Sequence, residues 1–181
     1  KIMPKCRICN ANESKQLVRA DYVFGGEDEH KFWCCSNCDA VYLYPIPSIE
    51  EDAYFYRKEF EKFMSQRSGR DRDWTNVQAH IKTNQDQVQR RWYFLEPYLT
   101  KNIDLLELGC SSGFMLDAFS DFGAICTGVE PSGKFSEYLE EKPYPVFESI
   151  EDLICSTPKA TFDLIVHFFL FEHIRDPFKF L

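Results

Sequence analysis

The chain has no run of about 18 apolar residues, so no helical segment is long and apolar enough to cross a bilayer. It has no basic excess either. Its 21 Lys and Arg stand against 29 Asp and Glu, a net charge of −8, and a protein gripping a nucleic-acid backbone would carry the opposite balance. The first residues, Lys1-Ile2-Met3-Pro4, lack the apolar core of a signal peptide. They do not begin with Met, so a processed or trimmed chain is expected. No internal repeat or low-complexity tract is evident. Disorder is excluded by a composition of 44% hydrophobic and 28% charged residues. What is left is a globular protein, expected in the cytoplasm, with neither membrane nor nucleic acid as partner. Its 181 residues suffice for one ordinary domain or two small ones.

The charge is unevenly spread: −1 over residues 1–50, +2 over 51–101 and −9 over 102–181. The cysteines are uneven too. Five of eight lie in the first 38 residues, and Cys6-x2-Cys9 and Cys35-x2-Cys38 make two CxxC pairs separated by 25 residues. Zinc takes four thiolates at tetrahedral corners, and one CxxC turn presents two of them. The intervening β-prone pieces, 16–18 and 31–33, flank a Gly25-Gly26 turn. This is the logic of a zinc ribbon, two knuckles joined by a hairpin. A disulfide framework is the alternative, but it suits secreted chains. Cys34 competes with Cys35 for the third ligand position, although Cys34 to Cys38 gives a CxxxC spacing. Four sulfur ligands close the metal site, so the ion would stabilise a small core and activate no water.

Pro45-Ile46-Pro47 predicts an extended connector. Ser48 followed by Glu51 predicts a capping box opening a helix over 49–64. Its dense aromatics, including Tyr54, Phe55 and Phe63, suit a packed face or the wall of a substrate site. Residues 65–73 predict a polar loop, with Arg67, Arg70 and Arg72 either solvated or facing an anion. A long helix follows over 75–99, with Val77, Ile81, Val88, Trp92 and Leu95 toward a core.

The segment 103–108 reads as a buried parallel strand running into Gly109-Cys110-Ser111-Ser112-Gly113, and a helix opens at Phe114. Strand, glycine turn and helix begin a nucleotide-binding βαβ unit, in which free N–H groups at the turn face a ligand. The next strand, 124–129, ends at Glu130. A carboxylate there can accept hydrogen bonds from both hydroxyls of a ribose. Further elements follow: a helix over 134–141, a strand over 145–147, a short helix over 149–155 and a buried strand over 162–168.

Leu-Glu-Leu-Gly-Cys-Ser-Ser-Gly from residue 106, Gly-Val-Glu-Pro-Ser from 128, Phe-Asp-Leu-Ile from 162 and Phe-Glu-His-Ile-Arg-Asp-Pro from 171 resemble, in this order, the motifs of class I S-adenosylmethionine-dependent methyltransferases. The upstream CxxC pairs, Pro-x-Pro and aromatic helix resemble the zinc-binding domain of the sugar C-methyltransferase-like branch. The resemblance implies an α/β fold: the Rossmann-like parallel sheet of a class I methyltransferase, C-terminally truncated, after a small zinc-ribbon domain. The implied division is a ribbon over 1–48, a helical connector or lid over 49–101 and a partial cofactor domain over 102–181.

The resemblance also implies roles. Glu107 would lie beside the cofactor's amino group. Gly109, Cys110, Ser111 and Gly113 would turn under its methionine moiety. Glu130, with Pro131 behind it, would hold the ribose, and Glu148 would approach the adenine. His167 and Phe168 would lie beside the sulfonium. Cys6, Cys9, Cys35 and Cys38 would hold structural Zn2+. The implied acceptor is a small molecule, possible classes including a sugar or a nucleotide-linked sugar. Ser111 replaces a glycine common in the family. The chain ends before the last three of the family's seven strands, so a fragment of a longer protein is expected.

Glu172-His173 is an acid–base pair near the expected pocket. His173 is the candidate catalytic base for the acceptor's proton; the competing reading is that the pair caps the next helix. Two rival functions remain. One is a zinc-ribbon interaction module on a degenerate scaffold. The other is an NAD-dependent dehydrogenase, which Gly-x-Ser-x-Gly fits less well than Gly-x-Gly-x-x-Gly would.

Overall fold

The computed structural model describes residues 3–23, 26–59, 63 and 76–180. The chain gathers into two compact units, residues 1–71 with 172–181, and residues 72–171. The segment 49–101 is thus shared between them. No helix among the described residues is long and apolar enough to cross a membrane.

The first unit is built on a three-stranded antiparallel sheet, β1 (Gln16–Ala20), β2 (Lys31–Cys35) and β3 (Val41–Tyr44), in that order. Strands β1 and β2 form the expected hairpin, and β3 adds a third strand to it. Val41 to Tyr44 pairs with β2 along its whole length, and the extended connector begins only after it. Register decides which side chains meet. Trp33 lies opposite Val18 and Tyr42, and Cys35 opposite Gln16. Successive residues of a strand face opposite sides, so Trp33 and Cys35 enter the small core with Cys6 and Tyr42, while Cys34 faces the other way. Gly25 lies outside the described residues; Gly26 donates its N–H to the Val23 carbonyl at 3.0 Å.

Helix α1 (Ile49–Tyr54) opens on the capping box read from the sequence. Ser48 Oγ accepts from the Glu51 N–H at 3.1 Å, and the Glu51 carboxylate accepts from the Ser48 N–H at 2.6 Å. The helix widens into a π turn over Phe55–Glu59. Residues 60–62 and 64 of the expected span lie outside the described residues. The predicted loop at 65–73, with Arg67, Arg70 and Arg72, lies outside the described residues. The last residues join this unit through Arg175, which donates to the Pro47 carbonyl and pairs with Asp52.

The second unit opens with helix α2 (Val77–Leu95), capped by Asn76, whose Oδ1 accepts from the Ala79 N–H at 2.9 Å. A 3-10 turn over Glu96–Tyr98 follows, where Pro97 denies the helix a further backbone donor. Then come β4 (Asp104–Leu108), α3 (Phe114–Phe122), β5 (Ile125–Val129), α4 (Ser136–Glu140), β6 (Val146–Phe147), α5 (Ile150–Ser156) and β7 (Leu164–His167). A last short helix, α6 (Pro177–Phe180), belongs to the first unit. The four strands make one parallel sheet in the order β6-β5-β4-β7.

Strand β4 is an inner strand and nearly all buried, Glu107 included, so its side chains do not alternate between apolar and polar. Leu105, Met115, Leu116 and Phe119 are fully buried between sheet and helix. Ile81, Val88, Trp92 and Leu95 pack against that core as the sequence predicts, and Trp92 stacks on Phe119 at 5.8 Å. Helix α3 approaches β5 closely: a Cβ at Gly128 would lie 2.8 Å from Leu116 Cδ1 and 2.9 Å from Cys110 Sγ. Glycine here sets the spacing between helix and sheet.

Candidate functional site

The chain runs outward from β4 through β5 to β6, then returns to place β7 on the other side of β4. Connections diverge at that reversal and leave a crevice beyond the strand ends, where open α/β sheets bind ligands. The residues at those ends are Glu107 on β4 with Gly109 just after it, Glu130 just after β5, Glu148 after β6 and His167 on β7.

The turn from β4 into α3 is tightly held. Gly109, Ser111 and Gly113 all have positive φ, +73°, +53° and +74°. The Gly109 and Cys110 N–H groups both donate to the Val129 carbonyl, at 2.8 and 3.1 Å. Gly113 faces Tyr144, whose hydroxyl lies 3.2 Å from the Gly113 carbonyl and 2.8 Å from Asp117 Oδ1. Lys142 closes that network with an ion pair to Asp117 at 2.7 Å.

Glu130 is turned toward this bend. Its Oε2 accepts from the Ser111 N–H at 2.6 Å and its Oε1 from the Ser132 N–H at 3.0 Å. Each carboxylate oxygen keeps a further lone pair, so the group is preset in orientation yet can accept two more donors. Beside it lies a cleft of about 460 Å³, lined among others by Glu130, Ser136, Tyr144, Phe147 and Glu148.

Glu107 is 2% exposed, and its Oε2 has no hydrogen-bond partner among the described residues. Burial pushes its carboxyl up to about 8; the Arg91 guanidinium pulls the other way, and the Glu130 charge adds to the rise. Arg91 lies over the rings of Phe168, Phe114 and Phe169, 4.2, 5.0 and 5.6 Å from their centroids. Its buried Nε has no partner among the described residues. A carboxyl and a guanidinium with unfilled hydrogen-bonding capacity thus flank the end of β4. Groups of that kind suit a zwitterionic ligand with its own ammonium and carboxylate.

The remaining expected residues fall as follows. The Cys110 side chain is buried in the core, its thiol pushed up by burial, so only its backbone belongs to the turn. Pro131 is exposed just past Glu130. His167 ends β7 and stacks on Phe171 at 5.8 Å. Phe168 covers Arg91. His173 is in an exposed 3-10 turn grouped with the first unit. At the start of the helix that follows, Asp176 Oδ1 accepts from the Lys179 N–H at 3.1 Å.

Two residues of α2 were missed from the sequence. His80 is buried, with Nδ1 2.9 Å from Ser112 Oγ and Nε2 3.3 Å from Ser111 Oγ. Arg91 is the other. They lie eleven positions apart, three helical turns, and so on one stripe of α2. That spacing is the available signal, and it is hidden among the apolar positions of the same face.

In the first unit, the Sγ atoms of Cys6, Cys9, Cys35 and Cys38 lie within 4.8 Å of one another. Cys6 to Cys38 and Cys9 to Cys35 are each 3.6 Å. A tetrahedron with metal–sulfur bonds of about 2.3 Å has edges of about 3.8 Å, so the donor set fits. Both knuckles share one construction. The N–H of the first cysteine donates five residues ahead, Cys6 to Ala11 and Cys35 to Ala40. The fifth residue, Asn10 or Asp39, returns its N–H to that cysteine's carbonyl. Asn10 and Asp39 both sit at φ +57°, a region that Asn and Asp tolerate best after glycine. The six-residue repeat Cys-x-x-Cys-Asn/Asp-Ala is the sequence signal of that shared construction.

The chain matches the family described as "Methyltransferase domain" over residues 77–181, more than half its length. It belongs to that family. This methyltransferase-domain chain is also 29% identical over 111 residues to the "Ubiquinone biosynthesis O-methyltransferase" of several Coxiella burnetii strains, a match covering 58% of the chain and 47% of the relative. The chain spans about half the length of the curated relatives it matches. Among solved structures it is similar to magnesium protoporphyrin IX methyltransferase from Synechocystis PCC 6803 with bound SAM. That match has 17% identity and a TM-score of 0.40, covering 67% of this chain and 61% of the other.

Proposed function

We propose that this chain is the donor-binding part of an S-adenosylmethionine-dependent methyltransferase acting on a small molecule, with a sugar or nucleotide-linked sugar as the first class to test. The observation that carries this is Glu130, held by the Ser111 and Ser132 N–H groups at the strand ends, one strand away from the buried, unfilled carboxyl of Glu107. One acid is preset for a diol; the other is buried and unfilled, and an ammonium bound beside it would draw it to its charged form. Bound there, the sulfonium supplies a methyl group already activated for transfer.

The residues then have separate tasks. Glu130 accepts the two ribose hydroxyls. Glu107 takes the ammonium and Arg91 the carboxylate of the amino-acid end. The Phe114 and Phe168 rings beside Arg91 shield that end from water. Such a site accelerates transfer by alignment and exclusion of water, without acid–base work on the donor.

In the first unit, Cys6, Cys9, Cys35 and Cys38 would hold Zn2+ in a closed four-thiolate shell, joining two knuckles across a core of four buried residues. The ion's role is structural.

Isothermal titration of the chain with S-adenosylhomocysteine and with NAD tests the donor assignment. Binding of the first and not the second is expected. Binding of NAD alone would replace the reading with a dehydrogenase. Binding of neither would favour the interaction-module alternative. Methyl transfer to nucleotide sugars, compared with O-methylation of ubiquinone-biosynthesis intermediates as in the Coxiella relatives' name, separates the acceptor classes.

A further inference from the structure

We propose that His80 is a positioning residue that holds Ser111 in the left-handed conformation of the cofactor turn, and so sets the affinity of the site for its adenosyl ligand. The proposal rests on the donor assignment above. Ser111 stands at φ +53°, where an L-residue is disfavoured and glycine is not. A serine there needs anchors, and it has two. Its N–H is held by Glu130 Oε2 at 2.6 Å, and its hydroxyl by His80 Nε2 at 3.3 Å.

The other ring nitrogen holds the next residue, Ser112 Oγ, at 2.9 Å. Ser112 is completely buried. A neutral imidazole has one donor and one acceptor nitrogen, and a hydroxyl can play either part, so both contacts are satisfied in either tautomer. The ring itself is fixed, packed against Phe135 at 5.1 Å and Phe114 at 6.1 Å. Burial and the Arg91 charge lower its pKa, with Glu130 opposing them, which favours the neutral ring.

The geometry makes a chain of dependence. His80 fixes the Ser111 hydroxyl. Ser111, so placed, aims its N–H at Glu130. Glu130 is thereby held toward the ribose position. If Ser111 were glycine, the left-handed conformation would need no clamp, and His80 would lose most of its influence on ligand affinity.

A double-mutant cycle reads this directly. S-adenosylhomocysteine affinity is measured by titration calorimetry on the 181-residue chain as wild type, His80→Ala, Ser111→Gly and the double variant. His80→Ala is expected to weaken binding about tenfold when Ser111 is present, and less than about twofold in the Ser111→Gly background. Equal losses in both backgrounds would show that His80 only packs, and would overturn the proposal.

Two further variants cover the case in which His80→Ala unfolds. Gln can place an amide near the Nε2 position and keep Ser111, whereas Asn reaches only the Nδ1 position and Ser112. His80→Gln is expected within about threefold of wild type and His80→Asn about tenfold weaker; the reverse order would overturn the assignment. A wild type that binds no S-adenosylhomocysteine removes the cofactor reading together with this role. A wild type that binds, with an additive cycle, removes only the role of His80.

Discussion

Replacing Glu107 by Gln isolates the electrostatics of the candidate site. The folded carboxyl titrates at about 8 because burial disfavours its charge, while in the unfolded chain it titrates near ~4.3. Between these values the folded protein holds a proton that the unfolded chain has released. Stability therefore falls as pH rises through this window and levels off above about 8. At about 1.4 kcal/mol per unit the shift sets a ceiling on the order of 5 kcal/mol. Relaxation toward an effective interior dielectric near ~20 brings the expected loss to roughly 2–4 kcal/mol. Gln has nearly the same shape and no titration. At pH 5 (~1 kcal/mol is the tolerance) the variant should match wild type, and at pH 9 it should be more stable by about 2–4 kcal/mol. Urea unfolding at pH 5, 7 and 9 measures this, followed by tryptophan fluorescence in a Trp33→Phe background, so that Trp92, stacked on Phe119, reports from the unit that contains the site. Parallel wild-type and variant curves across that range would refute the reasoning, because the difference between them cancels every other titrating group.

Glu130→Ala should weaken S-adenosylhomocysteine binding by about 1–3 kcal/mol, since two charge-assisted hydrogen bonds are lost; unchanged affinity by calorimetry would count against the ribose assignment. Cys35→Ser should release the metal and unfold the ribbon while 102–181 is less affected; elemental analysis finding no zinc in unchelated wild type would defeat this. Gly113→Ala should cost about 2–4 kcal/mol in denaturant unfolding, because φ is +74° and the new Cβ would lie 2.7 Å from Tyr144 Oη. A loss below ~1 kcal/mol would show that the turn shifts freely.

Much of the fold was legible because its rules are local. The β4 strand, the glycine turn, the strand ending at Glu130 and the Ser48–Glu51 capping box each depend on residues within a few positions of one another. The ribbon was harder. Pro45 and Pro47 signal a connector, whereas β3 ends at Tyr44 just before them. The choice between Cys34 and Cys35 turned on strand register, since neighbours on a strand face opposite sides.

The sequence by itself determined the chemistry at hand: two cysteine pairs, a turn that only glycine-like conformations allow, and acids at strand ends. The tertiary structure alone decided which groups meet. It brought His80 to Ser111 and Ser112 across some thirty positions, laid Arg91 over Phe168, and buried Glu107 deeply enough to change its charge. Periodicity along one helix says which face is inward, but not what the opposing surface holds. Burial and hydrogen bonding between distant residues are properties of that opposing surface.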